Sequence, residues 1–483
     1  MASHSRISEE MLQDLTSELR LCLDPEYAAE LSAPITDIIA SMDPVSRPPS
    51  NTEKVDRPAI HAVDTDDPYN AFITRCAVRE PEATGLLDDS RVALKDNIAL
   101  TGVELTAGSG ILSDCIPTRN ATVTDRLLEA GATIVGKTNM DEFAFGPTGE
   151  TSYYGPTQNP RMPDHTPGGS SSGSGAAVAA GDADIALGTD TGGSVRIPAS
   201  YCGVVGYKPT QGLIPLDGVV ELAGSLDTVG VLADSVEDAS CGAAVLARTD
   251  ALADPEMKDP ESVTIGIPDT LFDDPVAESV ANHVADLIDQ LVDRGAKRVK
   301  ISLPDTSLSS AIWRVISMSE LYMYFFSNGR PYRSPAATEP PFGTAFANAR
   351  SNRLEKLSDP LTQYLLIGAY LVTRDDGDLY ANAIEHRAAL RDEVDSELAG
   401  VDVLACPSTP TTAYEFGEFS RDSSPPINNN THLFNLTGHP AISVPCGTID
   451  GLPVGIQTVG ARDADAELLE IARTVQNLIE ESN

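Results

Sequence analysis

Lysine is scarce in this chain. Eight lysines, Lys54, Lys95, Lys137, Lys208, Lys258, Lys297, Lys300 and Lys356, contribute to 33 Lys+Arg set against 72 Asp+Glu, a formal charge of −39 over 483 residues. Such self-repulsion destabilises a compact fold unless salt screens it, so the expectation is a salt-adapted host. A surface this acidic repels phosphates and predicts no nucleic-acid partner. Long apolar runs are missing as well. No window approaches the ~20 residues of a membrane span, and "MASHSRISEEMLQDL" lacks the basic start and apolar core of a secretory signal. The expectation is a soluble, cytoplasmic protein that does not engage a membrane. The seven cysteines are odd in number and never spaced C-x-x-C, and the seven histidines include no H-E-x-x-H pair. Neither a disulfide framework nor a metal site is indicated. Repeats and low-complexity tracts are also lacking.

What is present is alternation of strand and helix patterns, which argues a layered α/β fold. Residues 1–65 read as a helical extension, with Ile7, Met11, Leu15 and Leu19 at helical spacing, then an exposed strap, "RPPSNTEKVDRP". In the body, "RVALK" reads as a strand ending at Lys95. The run "TVTDRLLEAG" reads as a helix closed by Gly131, followed by a strand from Ala132. Residues from about 250 to 400 read as a mostly helical insertion, in which "DDPVAESVANHVADLIDQLVDRGA" is clearly amphipathic. The strands "VDVLACPSTP", "PAISVPCG" and "LPVGIQTVG" then return to the core before a closing helix, so residues 66–483 form one domain.

Two motifs fail on context. "GATIVGKT", Gly131 to Thr138, matches the P-loop pattern, but a helix enters the first glycine and the middle residues are strand, the reverse of a phosphate cradle. "GSSSG", Gly169 to Gly173, matches the nucleophile elbow around Ser171, yet "QNPRMPDHTP" before it is no strand. A nucleotide-binding protein and an esterase are therefore disfavoured.

A third constellation survives. "VALKDNI" puts a lysine at a strand end, "TPGGSSSGSGAAVAAG" holds a cluster of serines among glycines, and "GTDTGGSVRIPAS" supplies a second Gly-Gly-Ser loop. With "ATVTDRLLEAGATIVGKTNMDEFAFG" and "NLTGHPAISVPCG", this text closely resembles the amidase signature family from Asp67 to Gly460. The resemblance implies an α/β/α sandwich around a large mixed twisted sheet. It also implies a Ser–Ser–Lys triad with Ser194 as nucleophile, Ser170 as the bridging serine on a cis peptide, and Lys95 as base. Lysine acts as a base only when neutral, and burial depresses an ammonium pKa. The glycines of "TDTGGS" suit unhindered N–H groups, which nominates Thr191, Gly192, Gly193 and Ser194 as the oxyanion hole. Phe145 and Ser171 are the substrate-binding candidates. Asp190 and Arg196 read as supports, and Lys137 as structural. No cofactor is implied.

Two branches of that family compete. The A subunit of glutamyl-tRNA amidotransferase shares "NMDEFAFG" but usually shows paired arginines, one for the glutamine carboxylate, where this chain has Gln363 and Tyr364. A carboxylate without a bidentate cation binds poorly. The expectation is therefore a stand-alone amidase resembling the nitrile-pathway enzymes, a homodimer acting on a small-molecule amide. The transferase subunit is the alternative. Because all three triad positions are filled, a non-catalytic scaffold is disfavoured.

Overall fold

The structure, a computed structural model, describes residue 11 and residues 25–41, 61–62, 66–273, 275–329, 340–374, 377–418 and 427–482. Two compact units separate between Val55 and Asp56. In the first, the described element is one helix, α1 (Pro25–Ser41). The proposed helical residues Ile7, Leu15 and Leu19, and the strap, lie outside the described residues.

The second unit is built on one sheet. Its strands are β1 (His61–Ala62), β2 (Phe72–Val78), β3 (Arg91–Lys95), β4 (Thr133–Thr138), β5 (Ile185–Asp190), β6 (Val205–Lys208), β7 (Thr228–Ala233), β8 (Thr264–Pro268), β9 (Lys297–Ile301), β10 (Val403–Pro407), β11 (Ala441–Ile449) and β12 (Leu452–Val459). They lie in the order β1-β2-β4-β3-β5-β7-β6-β11-β12-β10-β8-β9. The pairs β4/β3 and β3/β5 are parallel, the run from β5 to β10 is antiparallel, and β10/β8 and β8/β9 are parallel again. The stretch read as a helical insertion thus gives strands β8 and β9 to the same sheet.

Strand parity sorts the layers. Val92 and Leu94 of β3 join the largest core cluster, under helices α2 (Thr122–Glu129), α5 (Val236–Ala247), α6 (Glu278–Asp293) and α12 (Asp465–Ser482). The amphipathic α6 turns Val280, Val284, Leu287, Ile288 and Leu291 inward, the spacing of one helical face. Ala93 points the other way, into a cluster with α3 (Ser172–Ala179) and α4 (Arg196–Cys202). That layer is thin because its residues are small. A side chain on Gly173 would meet the Ala71 carbonyl at 2.2 Å, and one on Gly175 would meet Pro198 at 3.1 Å. Helices α7 (Thr306–Phe326), α8 (Pro340–Asn352), α9 (Asp359–Thr373), α10 (Asp378–Leu398) and α11 (His432–Thr437) complete the unit. Asp305 and Ser358 cap α7 and α9, accepting from Ser307 N–H and Leu361 N–H.

The sham P-loop resolves as its context predicts. Gly131 takes φ +89° just beyond α2, and Lys137 lies inside β4, fully buried and paired with Asp96 at 2.9 Å.

Candidate active site

Lys95 ends β3 next to β5, where parallel strands present their carboxyl ends to the loops above, a usual place for a site in an α/β sheet. Its parity matches Ala93, so its side chain runs under the serine-rich loop, fully buried. The Nζ contacts Ser170 Oγ at 2.8 Å and Thr189 Oγ1 at 2.9 Å. Burial drives the amine down to about 7, against the opposing charges of Asp141, Asp227 and Asp190. The Gly169–Ser170 peptide is cis. A side chain on Gly169 would fall 2.0 Å from Asp141 Oδ2, so only glycine fits there. Asp141 itself is held by the amides of Gly149 and Thr151, and burial raises its carboxyl above the usual range.

Ser194 follows β5 at the head of α4, is 8 % exposed and lines a pocket in whose described lining Lys95 and Ser170 take no part. Ser171 N–H donates to the Ser194 carbonyl at 3.2 Å, which locks the two loops together. Beneath them, Asp190 accepts from Gly193 N–H at 2.8 Å and Val195 N–H at 3.2 Å. Arg196 grips the same carboxylate through Nε at 3.0 Å and Nη2 at 2.9 Å. Its remaining donors go to the Thr431 carbonyl, Gln457 Oε1 and Asn435 Oδ1, so all five N–H groups are used. Burial alone would raise Asp190, but Arg196 outweighs it and holds the carboxyl well below its usual range.

The same network corrects one oxyanion assignment. Gly193 N–H points at Asp190 and is not available to a substrate oxygen. Its neighbours are set by their carbonyls. Trp313 Nε1 donates to the Thr191 carbonyl at 2.8 Å, and Thr431 Oγ1 to the Gly192 carbonyl at 2.6 Å. In a trans peptide N–H and C=O point oppositely, so Gly192 N–H turns away from Trp313. Thr191, Gly192 and Ser194 all line the pocket. Thr191 Oγ1 is tied to Asp227 at 2.5 Å.

The pocket has a volume of about 140 Å³. Phe145 lines it, its ring 3.8 Å from that of Tyr364 between centroids. Ser171 does not reach it. Its hydroxyl lies beneath the loop, donating to the Thr189 carbonyl and accepting from the Thr189 N–H, each at 3.3 Å, so its assignment to substrate is corrected. The sequence reading missed Thr189, Trp313, Arg314 and Tyr364. The first had a usable signal, since it precedes Asp190 in the same "GTDTGGS" run. Among the described residues no cluster of His, Cys, Asp and Glu could hold a metal ion, and no helix is long and apolar enough to cross a membrane.

Comparisons with known proteins agree with this fold. The A subunit of the Halobacterium salinarum glutamyl-tRNA(Gln) amidotransferase is 42% identical over 430 residues, 84% of this chain and 99% of that protein. Its counterpart in Natronomonas pharaonis is 42% identical over 420 residues, 83% of this chain and 98% of that one. Among solved structures, the Thermotoga maritima counterpart superposes with a TM-score of 0.68 at 33% identity, over 84% of this chain and 86% of that one. An amidase superposes at 0.71 with 30% identity, over 82% and 86%. These amidotransferase relatives overturn the expectation of a homodimer serving only a small-molecule amide with no nucleic-acid partner. Net charge sums over the whole chain, and does not exclude a nucleic acid engaged by an assembly in which the chain is one component. The α/β sheet, the Lys95–Ser170 pair beneath Ser194 and an amidase family model matching residues 72–469 coincide, and the chain belongs to the amidase family.

Proposed function

We propose that this chain is the amide-cleaving component of an amidotransferase of the glutamyl-tRNA(Gln) kind, releasing ammonia from an amide donor in a salt-rich cytoplasm. The observation that carries the reading is the buried Lys95 Nζ on Ser170 Oγ at 2.8 Å, under a Ser194 that opens on a pocket. The neutral amine accepts the Ser170 proton while Ser170 accepts that of Ser194. Ser194 Oγ attacks the amide carbon, giving a tetrahedral intermediate whose oxyanion is met by N–H groups of Thr191, Gly192 and Ser194. The C–N bond breaks as the nitrogen takes a proton back through the relay, ammonia leaves, and water hydrolyses the acyl-Ser194 ester. The Ser194 hydroxyl makes no hydrogen bond to another described side chain, and catalytic hydrogen bonds commonly tighten only with substrate bound.

A second reading, hydrolysis of an amide by the chain alone, is favoured by Gln363 and Tyr364 standing where the paired arginines are expected. One experiment separates them. The purified chain in high salt is given glutamine, propionamide and benzamide, with and without the other amidotransferase subunits and glutamyl-tRNA(Gln). Ammonia release that rises with the subunits and is matched by glutaminyl-tRNA supports the transferase. Equal release without them supports the second reading. Activity that survives Ser194→Ala refutes both.

A further inference from the structure

The pocket in front of Ser194 carries a cation that neither the triad nor the oxyanion loop uses. Arg314 lines it together with Phe145, Leu222, Trp313 and Tyr364, and is the one charged side chain among the described residues that line it. The bond from Trp313 Nε1 to the Thr191 carbonyl ties α7 to the oxyanion loop at the adjacent residue. Across the pocket, burial raises the Tyr364 phenol and the Arg314 charge opposes that rise, so the guanidinium lies within electrostatic reach of that ring. Elsewhere in this acidic chain ten described arginines sit within 4.0 Å of a carboxylate. Five more donate to backbone carbonyls. Arg314, like Arg119 and Arg374, does neither with any described residue, although acidic side chains outnumber basic ones by 72 to 33, and of these three it is the one that lines the pocket.

We infer that Arg314, on α7, reads a carboxylate on the amide substrate. The inference rests on the reading of the chain as an amide-cleaving enzyme. A guanidinium suits the task because its planar fork meets both carboxylate oxygens at once. The rest of the wall near it is apolar or neutral, so a substrate of the same length ending in a methyl group leaves the cation unmatched. Arg314 is exposed, whereas Lys95 and Ser170 are fully buried. Arg314 is therefore a specificity-determining residue with no part in the proton relay.

The test compares glutaramate with pentanamide, amides of equal chain length with and without a terminal carboxylate, on the wild-type chain, Arg314→Gln and Arg314→Lys. In wild type kcat/KM favours glutaramate, and Arg314→Gln cuts that preference about tenfold or more, chiefly through KM, with Arg314→Lys between the two. A preference for glutaramate that is the same in all three proteins overturns the inference while leaving amide cleavage in place. Binding of glutarate to the Ser194→Ala chain and to Ser194→Ala/Arg314→Gln, followed by calorimetry, covers the remaining case. If no amide is turned over but glutarate binding weakens about tenfold with Arg314→Gln, the functional reading fails and the carboxylate subsite stands. Equal glutarate binding by both proteins overturns the subsite.

Discussion

Protonating Lys95 should switch the reaction off, and the structure fixes where on the pH scale this happens. An ordinary lysine with pKa ~10.4 is neutral in only about one molecule in 2,500 at pH 7. Burial beneath Ser170 lowers Lys95 to about 7, so about half the molecules hold a competent base at that pH, a gain of about 10³ in its population. For the free enzyme, kcat/KM should therefore fall tenfold for each pH unit below about 7 and flatten above it. Thr189→Val sharpens the test. It removes the Thr189 Oγ1 acceptor at 2.9 Å and leaves the near-isosteric shape. A hydrogen bond to the charged form favours that form, so its loss lowers the pKa further. With about 1.5 kcal/mol for such a bond and 1.36 kcal/mol per unit, the limb should move down by about one unit. Lys95→Arg, which cannot become neutral, should lose about 10³-fold or more. The assay is initial ammonia release from pH 5 to 9 at constant high salt. A flat profile down to pH 5, or a limb near 10, refutes the assignment of Lys95 as base.

Four further outcomes follow from the same structure. Arg196→Met strips a buried carboxylate of its partner and should cost about 3–5 kcal/mol, read as a large fall in thermal midpoint; a midpoint within a degree of wild type contradicts the network described for Asp190. Gly193→Ala would put a methyl 2.2 Å from Thr431 Oγ1 at φ +127°. By shifting the oxyanion loop it should lower kcat by about 10² or more, and near-normal kcat would show that the loop tolerates the methyl. Lys208 is buried, bonded to the Pro209 carbonyl and pushed down by burial from 10.5 to about 7. Between those values the unfolded chain binds a proton that the native state lacks, so stability rises with pH across the window. Lys208→Met should remove up to about 1.4 kcal/mol per pH unit of that slope, measured by urea midpoints at pH 7.5 and 9.5; parallel slopes would count against it. Finally, with a charge of −39, the thermal midpoint should climb steeply as KCl rises from about 0.1 M, where the Debye length is about 10 Å, to about 1 M. A flat salt titration would remove the argument for salt adaptation.

What the sequence could tell and what it could not divides along physical lines. Parity and punctuation carried β3, α2, β4, α6, the strands β10 to β12 and the closing helix, because each has a strong apolar period and turn residues at its ends. Strand β9 was lost in the supposed helical insertion. Its residues Lys297–Ile301 read "KRVKI" and four of the five are exposed, the basic composition of a strand at a sheet edge, where pairing with β8 and not burial makes the strand. The site divides in the same way. Lys95, Ser170 and Ser194 lie in short motifs whose residue types are demanded by the chemistry. The direction of a single N–H or O–H is not so encoded. Gly193 sits in the oxyanion loop by every local criterion, yet the Asp190 carboxylate claims its amide. Ser171, one residue from the bridging serine, spends its hydroxyl on the backbone of Thr189.

Arg314 carries that argument to its limit. On α7 it falls between the buried Ile312 and Ile316, and by helical spacing alone an arginine there is one more solvated charge on the outer face. More than a hundred residues of chain separate it from Ser194, and no motif joins them. Its helix is held at the site by the core packing of Ile312 and Ile316 and by the indole hydrogen bond of the preceding residue. The chemistry that activates the nucleophile is thus written locally, in a strand end and two glycine loops. The choice of substrate is written in the packing of a helix against them, which the sequence expresses only through the fold. A substitution of Trp313 by Phe, which keeps the ring and deletes the N–H, should therefore weaken the preference for glutaramate while sparing the pH limb set by Lys95. If Trp313→Phe shifts the limb and leaves the preference alone, selectivity and proton transfer are not divided between these two parts of the molecule.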